Sequence, residues 1–208
     1  MLYYIAFFYF WYNIVSKIIE GAIMKKIIKM EKLTVKKIAI LAILMSLGIV
    51  FKFFSIGNGE FRISIWDIPL FIAGMISGPI YGAIAALGAD LIYGLCFSSF
   101  PFSFLMMLTT VIWGFSGGLL YNIKIKKNTC IMLFIIVLIT SILATMINSI
   151  YLTMMFGFES MLVKLPMRIL VLIVKWPITS SLVILIYKEV FYRIDLKQFY
   201  RILLYILI

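Results

Sequence analysis

The sequence predicts an all-α integral membrane protein, a bundle of six transmembrane helices, and three observations carry this prediction. Hydrophobic residues make up 65% of the 208 residues and charged residues only 13%, which is too little polar surface for a water-soluble domain. The mean hydropathy is +1.17. A membrane-spanning helix needs about 20 apolar residues, so the chain has room for six spans and for no soluble catalytic domain.

The spans are bounded where charged residues, glycine and proline interrupt the apolar runs. The first span follows a basic segment, residues 25–37, and contains Lys52. The second span is short and ends at Gly78-Pro79, and the third carries Asp90. We expect the six spans at residues 38–56, 63–77, 81–97, 104–121, 130–158 and 165–187.

The last three spans are also bounded or interrupted by charged residues and proline. A turn with Pro101 precedes the fourth span, and the lysine-rich loop 123–128 follows it. The fifth span contains no charged residue and is long enough to lie tilted in a bilayer. The sixth is interrupted by Arg168, Lys175 and Pro177. The membrane domain is thus expected over residues 32–190, followed by an amphipathic cytoplasmic tail over residues 191–208.

The N-terminal residues 1–31 are predicted to form a hydrophobic and basic extension. Its first 23 residues have two interpretations: an interfacial aromatic helix, or, as we favour, a segment outside the natural protein because translation begins at Met24 or Met30. A cleaved signal peptide is disfavoured, because the segment lacks a basic start and a small-residue cleavage site.

The basic residues predict the orientation of the chain. The net charge is +11, and the lysines and arginines collect before the first span, between the fourth and fifth spans, and after the sixth. With six spans these places fall on one side, and basic residues accumulate in cytoplasmic loops. We therefore expect a multi-pass protein of the cell membrane with both termini cytoplasmic. The lipid bilayer, and not a nucleic acid, accounts for the positive charge.

The composition also excludes several chemistries. The chain contains no histidine, so it has no imidazole metal ligand and no Ser/His or Cys/His nucleophile pair. Cys96 and Cys130 are expected near opposite faces of the membrane, too far apart for a disulfide. We expect no metal site, no cofactor and no catalysis.

Four charged residues, Lys52, Asp90, Arg168 and Lys175, lie inside predicted spans, where each costs about 2.5 to 3.5 kcal/mol if it faces lipid. They are therefore expected to face a cavity or one another. In one alternative, Asp90 pairs with Lys175 or Arg168, and Lys52 extends to the outer interface. Three basic groups against one carboxylate leave two surplus positive charges. An anionic ligand would neutralise them.

Further polar and aromatic residues share these spans. Arg168 and Lys175 are seven residues apart and therefore lie on one helix face. Asn148, in the fifth span, can both donate and accept hydrogen bonds, although a stripe of polar residues also serves helix packing. Three tryptophans either stack on a flat ligand ring or belong to the interfacial aromatic belt. These are Trp66, Trp113 and Trp176.

Residues 51–97 resemble the substrate-binding S component of energy-coupling factor (ECF) transporters, specifically the folate type. Residues 110–122, 147–157 and 167–178 resemble the later helices of that family. The chain departs from the family pattern in two outer segments, residues 65–67 and 100–104. The matching motifs of the first block are Arg62-Ile63-Ser64, Pro69, Ala73-Gly74-Met75, Gly78-Pro79 and Ala89-Asp90 with Gly94.

The resemblance implies a six-helix protein that captures a vitamin near the outer face of the membrane. It also implies two kinds of partner, a transmembrane coupling subunit and a pair of ATPase subunits, because the chain has no phosphate-binding loop of its own. A small-residue face on the first span is implied to dock the coupling subunit, although ordinary helix packing remains the alternative. Its members are Ala39, Ala42 and Ser46.

Folate has a flat pterin with a donor-rich edge and a tail with two carboxylates. A carboxylate such as Asp90 suits the pterin edge, and Arg168, Arg62 or Lys175 suits the tail. The predicted ligand-binding residues are Lys52, Arg62, Asp90, Trp113, Asn148, Arg168 and Lys175.

Three alternatives remain at this point. The same architecture can serve another vitamin or a related heterocycle. A small membrane enzyme would use Asp67 and Asp90 on lipid-linked substrates, but it needs paired carboxylates around a metal, and the nearby charges are mostly basic. A purely structural membrane protein would lose only stability when Arg168 is replaced by alanine.

Overall fold

The computed structural model describes residues 34–55, 65–98, 103–121 and 127–193. All the regular elements within these ranges are helices, which confirms the predicted fold class. The predicted N-terminal extension and residues 194–208 of the predicted tail lie outside the described residues. The six helices are α1 (Val35–Phe53), α2 (Asp67–Ser77), α3 (Pro79–Cys96), α4 (Phe104–Gly118), α5 (Lys127–Phe156) and α6 (Phe158–Arg193).

Helices α2 and α3 are joined by a single residue, Gly78, at the position where the sequence predicts a break. Its φ of 95° lies in the left-handed region that favours glycine. The Gly78 N–H donates to the Gly74 carbonyl at 2.8 Å, which closes the last turn of α2. Pro79 then begins α3, where its missing N–H costs nothing.

Glycines bring α2, α3 and α4 into backbone contact. A Cβ added at Gly82 of α3 would overlap the Gly74 Cα of α2, and one added at Gly114 of α4 would overlap the Gly82 carbonyl. Ala86, one turn beyond Gly82, is fully buried. Small residues permit this approach, as expected for helices packed in a membrane. This row of small residues continues along α3 to Asp90, so the Asp90 carboxylate lies between helices.

Contacts between helix ends show that α1 and α3 run in the same direction and that α4 runs in the opposite one. Lys52, at the end of α1, forms an ion pair with Asp90 in the second half of α3. Lys37, at the start of α1, donates to the Tyr121 hydroxyl, just beyond α4, at 3.0 Å. The end of α1 therefore lies beside the later part of α3, and its start lies beside the end of α4.

Helices α5 and α6 form an antiparallel pair. The Trp176 indole N–H lies 3.4 Å from the Phe134 carbonyl, and Arg168 donates to Ser149 at 2.9 Å. Gly157, with φ 84°, is the turn residue between the two helices. Helix α6 thus begins seven residues before the predicted start of the sixth span at residue 165.

Three described helices are long and apolar enough to cross a membrane. They contain the segments Pro79–Cys96, Cys130–Phe156 and Leu162–Lys188. The apolar helices α2 and α4 are shorter. Helix α2 is the buried centre of the bundle, with Leu70 and Phe71 fully buried.

Candidate functional site

Five residues from four helices and the segment before α2 form a group that we call the charged cluster. Its members are Lys52, Trp66, Asp67, Asp90 and Lys175. Lys52, Asp67 and Asp90 are buried, and Trp66 and Lys175 are half-buried. A buried charge without a partner is costly. The arrangement of partners within the cluster therefore decides what the site can do.

Lys52 and Asp90 form the first ion pair of the charged cluster. Their side chains are 11% and 10% exposed, and the Lys52 ammonium also lies 3.4 Å from the Thr110 hydroxyl. The alternative in which Asp90 pairs with Lys175 or Arg168 is therefore wrong. Lys52 turns inward to α3 instead of extending to the outer interface, because Asp90 lies within its reach across the α1–α3 contact.

Asp67 and Lys175 form the second pair. The Lys175 Nζ lies 3.1 Å from Asp67 Oδ2, and the Asp67 side chain is fully buried. Neither Asp67 oxygen accepts a well-directed hydrogen bond from the described residues. The sequence-based list of ligand-binding residues omitted Asp67. The available signal was its place in the first turn of α2, where the helix dipole favours an acidic side chain.

Asp67 changes the charge count. Three basic groups, Lys52, Arg168 and Lys175, stand against two carboxylates, Asp67 and Asp90, so the formal excess is one positive charge and not the two predicted. Both lysines have a carboxylate partner, and Arg168 contacts the Ser149 hydroxyl.

Trp66 joins the two pairs. The Lys52 Nζ lies 4.4 Å from the centre of the indole ring, and the Lys175 Nζ lies 5.9 Å from it. Ammonium groups at such distances are attracted to the negative face of the ring. Lys52 also approaches the Tyr93 ring at 5.4 Å. The indole is thus held in place by cations from α1 and α6.

Arg168, on α6, bonds to α5 at Ser149, the residue after Asn148. The Arg168 Nη1 donates to the Ser149 hydroxyl at 2.9 Å, and Asn148 is the preceding residue. The Asn148 Oδ1 is buried and accepts no hydrogen bond from the described residues. Although Arg168 and Lys175 share a helix, they therefore have different partners, Ser149 on α5 and Asp67 on α2.

The remaining predicted site residues have other surroundings. Trp113 is 3% exposed and belongs to the apolar core. It packs edge to face against Phe71, with ring centres 6.1 Å apart. A role for Trp113 in ligand binding stays a prediction. Arg62 lies outside the described residues. Trp176 packs against Phe134 at 4.4 Å.

The small-residue face of α1 is largely accessible. Ala39 is half-buried, whereas Ala42 and Ser46 are exposed. The Ser46 hydroxyl donates to the Ala42 carbonyl at 2.9 Å, so its polar hydrogen is turned back to its own helix.

Two further expectations concern metals and disulfides. Cys96 and Cys130 are both free thiols. Among the described residues, no group of three or more acidic or cysteine side chains is arranged to hold a metal ion. Asp67 and Asp90 are each paired with a lysine rather than with one another.

Comparisons with known proteins agree with this architecture. The family described as "ECF transporter, substrate-specific component" matches residues 36–187. The fold is similar to the crystal structure of FolT bound with folic acid, with a TM-score of 0.64 and 24% identity. That match covers 71% of this chain and 91% of the FolT chain. No curated protein sequence matches the chain significantly. Because the family match spans all six helices, this membrane protein belongs to the substrate-specific components of ECF transporters.

Proposed function

We propose that the chain captures folate for an ECF importer and catalyses no reaction itself. The observation that carries the proposal is the likeness of its fold to FolT bound with folic acid, over 91% of that chain. The chain's own chemistry supports the same ligand. Folate combines a flat, donor-rich ring with carboxylates, and the described residues offer an aromatic ring, buried carboxylates and a guanidinium.

Arg168 is proposed to bind a carboxylate of the vitamin. A guanidinium is planar and binds a carboxylate through two parallel N–H donors. Lys52 and Lys175 already have Asp90 and Asp67 as partners, so they serve the tail less well. Asn148, beside Ser149, offers a buried acceptor for an N–H of the ligand. Asp67 and Asp90 are candidate acceptors for the pterin edge.

A binding titration tests the proposed ligand. We expect the detergent-purified protein to bind folate with saturation and to show no saturable tight binding of riboflavin, thiamine or biotin. Replacing Arg168 with alanine is expected to weaken folate binding at least about tenfold, because a hydrogen-bonded charge partner is lost. Isothermal titration with each vitamin measures both effects.

The matched control is Lys188→Ala, which removes a positive charge from an exposed position of the same helix. Equal losses for Arg168→Ala and Lys188→Ala would contradict the role of Arg168. Tight binding of riboflavin, thiamine or biotin in place of folate would assign another vitamin. A hydrolytic activity abolished by Asp90→Ala, with vitamin binding intact, would favour the membrane enzyme.

We also propose the partners and the orientation that the family implies. The exposed small residues of α1, Ala42 and Ser46, dock a transmembrane coupling subunit, and two ATPase subunits supply the energy. Both termini lie in the cytoplasm, because the basic residues cluster at that end of the helices. The charged cluster, at the opposite helix ends, then lies nearer the outer face, where a vitamin arrives.

A further inference from the structure

A row of hydroxyl groups follows one face of α5 at four-residue intervals. The hydroxyls of Thr145, Ser149 and Thr153 donate to the carbonyls of Ser141, Thr145 and Ser149 at 2.8, 2.7 and 2.8 Å respectively. Such bonds turn the hydroxyl hydrogen back to the helix. Within this row, only the Ser149 hydroxyl also bonds to a described charged side chain, Arg168.

The hydrogen bond from Ser149 to its own helix fixes what its oxygen can do. A hydroxyl has one hydrogen and two lone pairs, and the Ser149 hydrogen points to the Thr145 carbonyl. The oxygen can therefore only accept hydrogen bonds from across the helix interface. Arg168 can only donate, so the contact has one possible direction.

We propose that Ser149 is a positioning residue, which holds the Arg168 guanidinium in the orientation that receives the anionic group of the ligand. The inference rests on the proposed function and names a residue outside the predicted site. The buried Arg168 Nε has no hydrogen-bond partner among the described residues, and it is the N–H of the fork that a ligand carboxylate would take. The bond at Nη1 restricts the rotamers of the long arginine side chain. A variant without this bond would therefore lose more conformational entropy at each binding event.

The test compares variants that differ only at this contact. Ser149→Ala is expected to weaken folate binding about tenfold, the effect of losing a hydrogen bond to a charged group. Ser149→Thr keeps the hydroxyl and should retain wild-type affinity. Thr153→Ala, the matched control, removes the same bond to the helix one turn away without touching Arg168. It should therefore leave the affinity unchanged. The unfolding midpoint of each variant checks that it remains folded, and Ser149→Ala is expected to have the lower midpoint because it also loses the bond from Arg168.

A double-mutant cycle separates positioning from independent binding. In an Arg168→Ala background, Ser149→Ala should weaken binding no further. If Arg168→Ala binds too weakly to titrate, the three-variant comparison decides alone. Three results would overturn the inference without contradicting folate binding by the wild type. The first is that Ser149→Ala weakens binding as much in the Arg168→Ala background as in the wild type. The others are wild-type affinity of Ser149→Ala, or a loss of affinity in Thr153→Ala equal to that in Ser149→Ala.

A result that contradicts folate as the ligand can be distinguished from one that contradicts the role of Ser149. If the wild type binds riboflavin, thiamine or biotin instead of folate, that vitamin becomes the probe for the same variants, and their ranking decides the role of Ser149. A wild-type protein that binds none of the four overturns the proposed function and this inference with it.

Discussion

At the scale of single residues, the lysines and carboxylates of the charged cluster form two ion pairs. Lys52 pairs with Asp90, Lys175 pairs with Asp67, and both ammonium groups lie against the Trp66 ring. Removing one member of a buried pair leaves its partner's charge uncompensated, whereas removing both does not. The second pair is the clearer test, because Asp67 is fully buried.

We expect Asp67→Asn and Lys175→Met each to lower the free energy of unfolding by about 2 to 3 kcal/mol. This lies below the usual cost of breaking a buried pair, because the Lys175 side chain is 26% exposed. The double variant should lose less than the sum of the two single losses. Thermal unfolding of the detergent-solubilised protein, with Lys188→Met as the exposed control, measures the differences. Strictly additive losses would contradict a stabilising pair.

The sequence identifies which charges are sequestered but not which partners they find. Lys52, Asp90, Arg168 and Lys175 stand out because each interrupts an apolar run. Their pairing depends on the relative height and rotation of helices that are distant in sequence, and periodicity within one helix carries neither. Asp67 entered only the membrane-enzyme alternative, because a charge near the start of a predicted span resembles an ordinary loop boundary.

At the scale of helices, the proposed docking at the exposed small-residue face of α1 can be tested by measuring transport. A tryptophan at Ala42 would hold a docking helix away from α1, because close packing in membranes depends on small side chains. We expect Ala42→Trp to reduce vitamin uptake by cells at least about tenfold, while binding by the purified protein stays unchanged. Uptake of labelled folate, compared with titration, separates the two steps.

Leu185→Trp is the control for added bulk, because Leu185 is 58% exposed on another helix, α6. It should leave both uptake and binding unchanged. Normal uptake by Ala42→Trp, or an equal loss of uptake in the two variants, would contradict docking at this face of α1.

Helix boundaries followed from the sequence where backbone chemistry marks them. The Gly78-Pro79 break is confirmed, because a left-handed residue followed by proline ends one helix and begins the next. The start of α6 at Phe158 was missed. Glu159 and Lys164 suggested a loop, but charged residues are compatible with the first turns of a helix that lie beyond the apolar region.

At the scale of the whole molecule, the native cysteines can report the orientation of the bundle. Cys96 ends α3 and is exposed, whereas Cys130 lies near the start of α5 and is partly buried. If both termini are cytoplasmic, Cys96 lies at the outer face. We therefore expect a membrane-impermeant maleimide to label intact cells that carry the protein. The signal should be lost in Cys96→Ser and retained in Cys130→Ser.

Labelling that appears only after the cells are permeabilised would reverse the orientation. Wild-type labelling retained in Cys96→Ser would show that Cys96 is not the reporter.

The number of helices in the described part of the chain could be predicted, because the lengths of the apolar runs can be read directly from the sequence. Which spans occupy the centre could not. Helix α2 is central, although its composition resembles that of its neighbours.

The one-residue connection at Gly78 bears on how the protein is made. The 11 residues of α2 measure about 16 Å, roughly half of a bilayer core about 30 Å thick. Helix α2 is therefore a poor stop-transfer segment by itself. We therefore expect α2 to enter the lipid as the short arm of a hairpin with α3, only after the ribosome has finished α3.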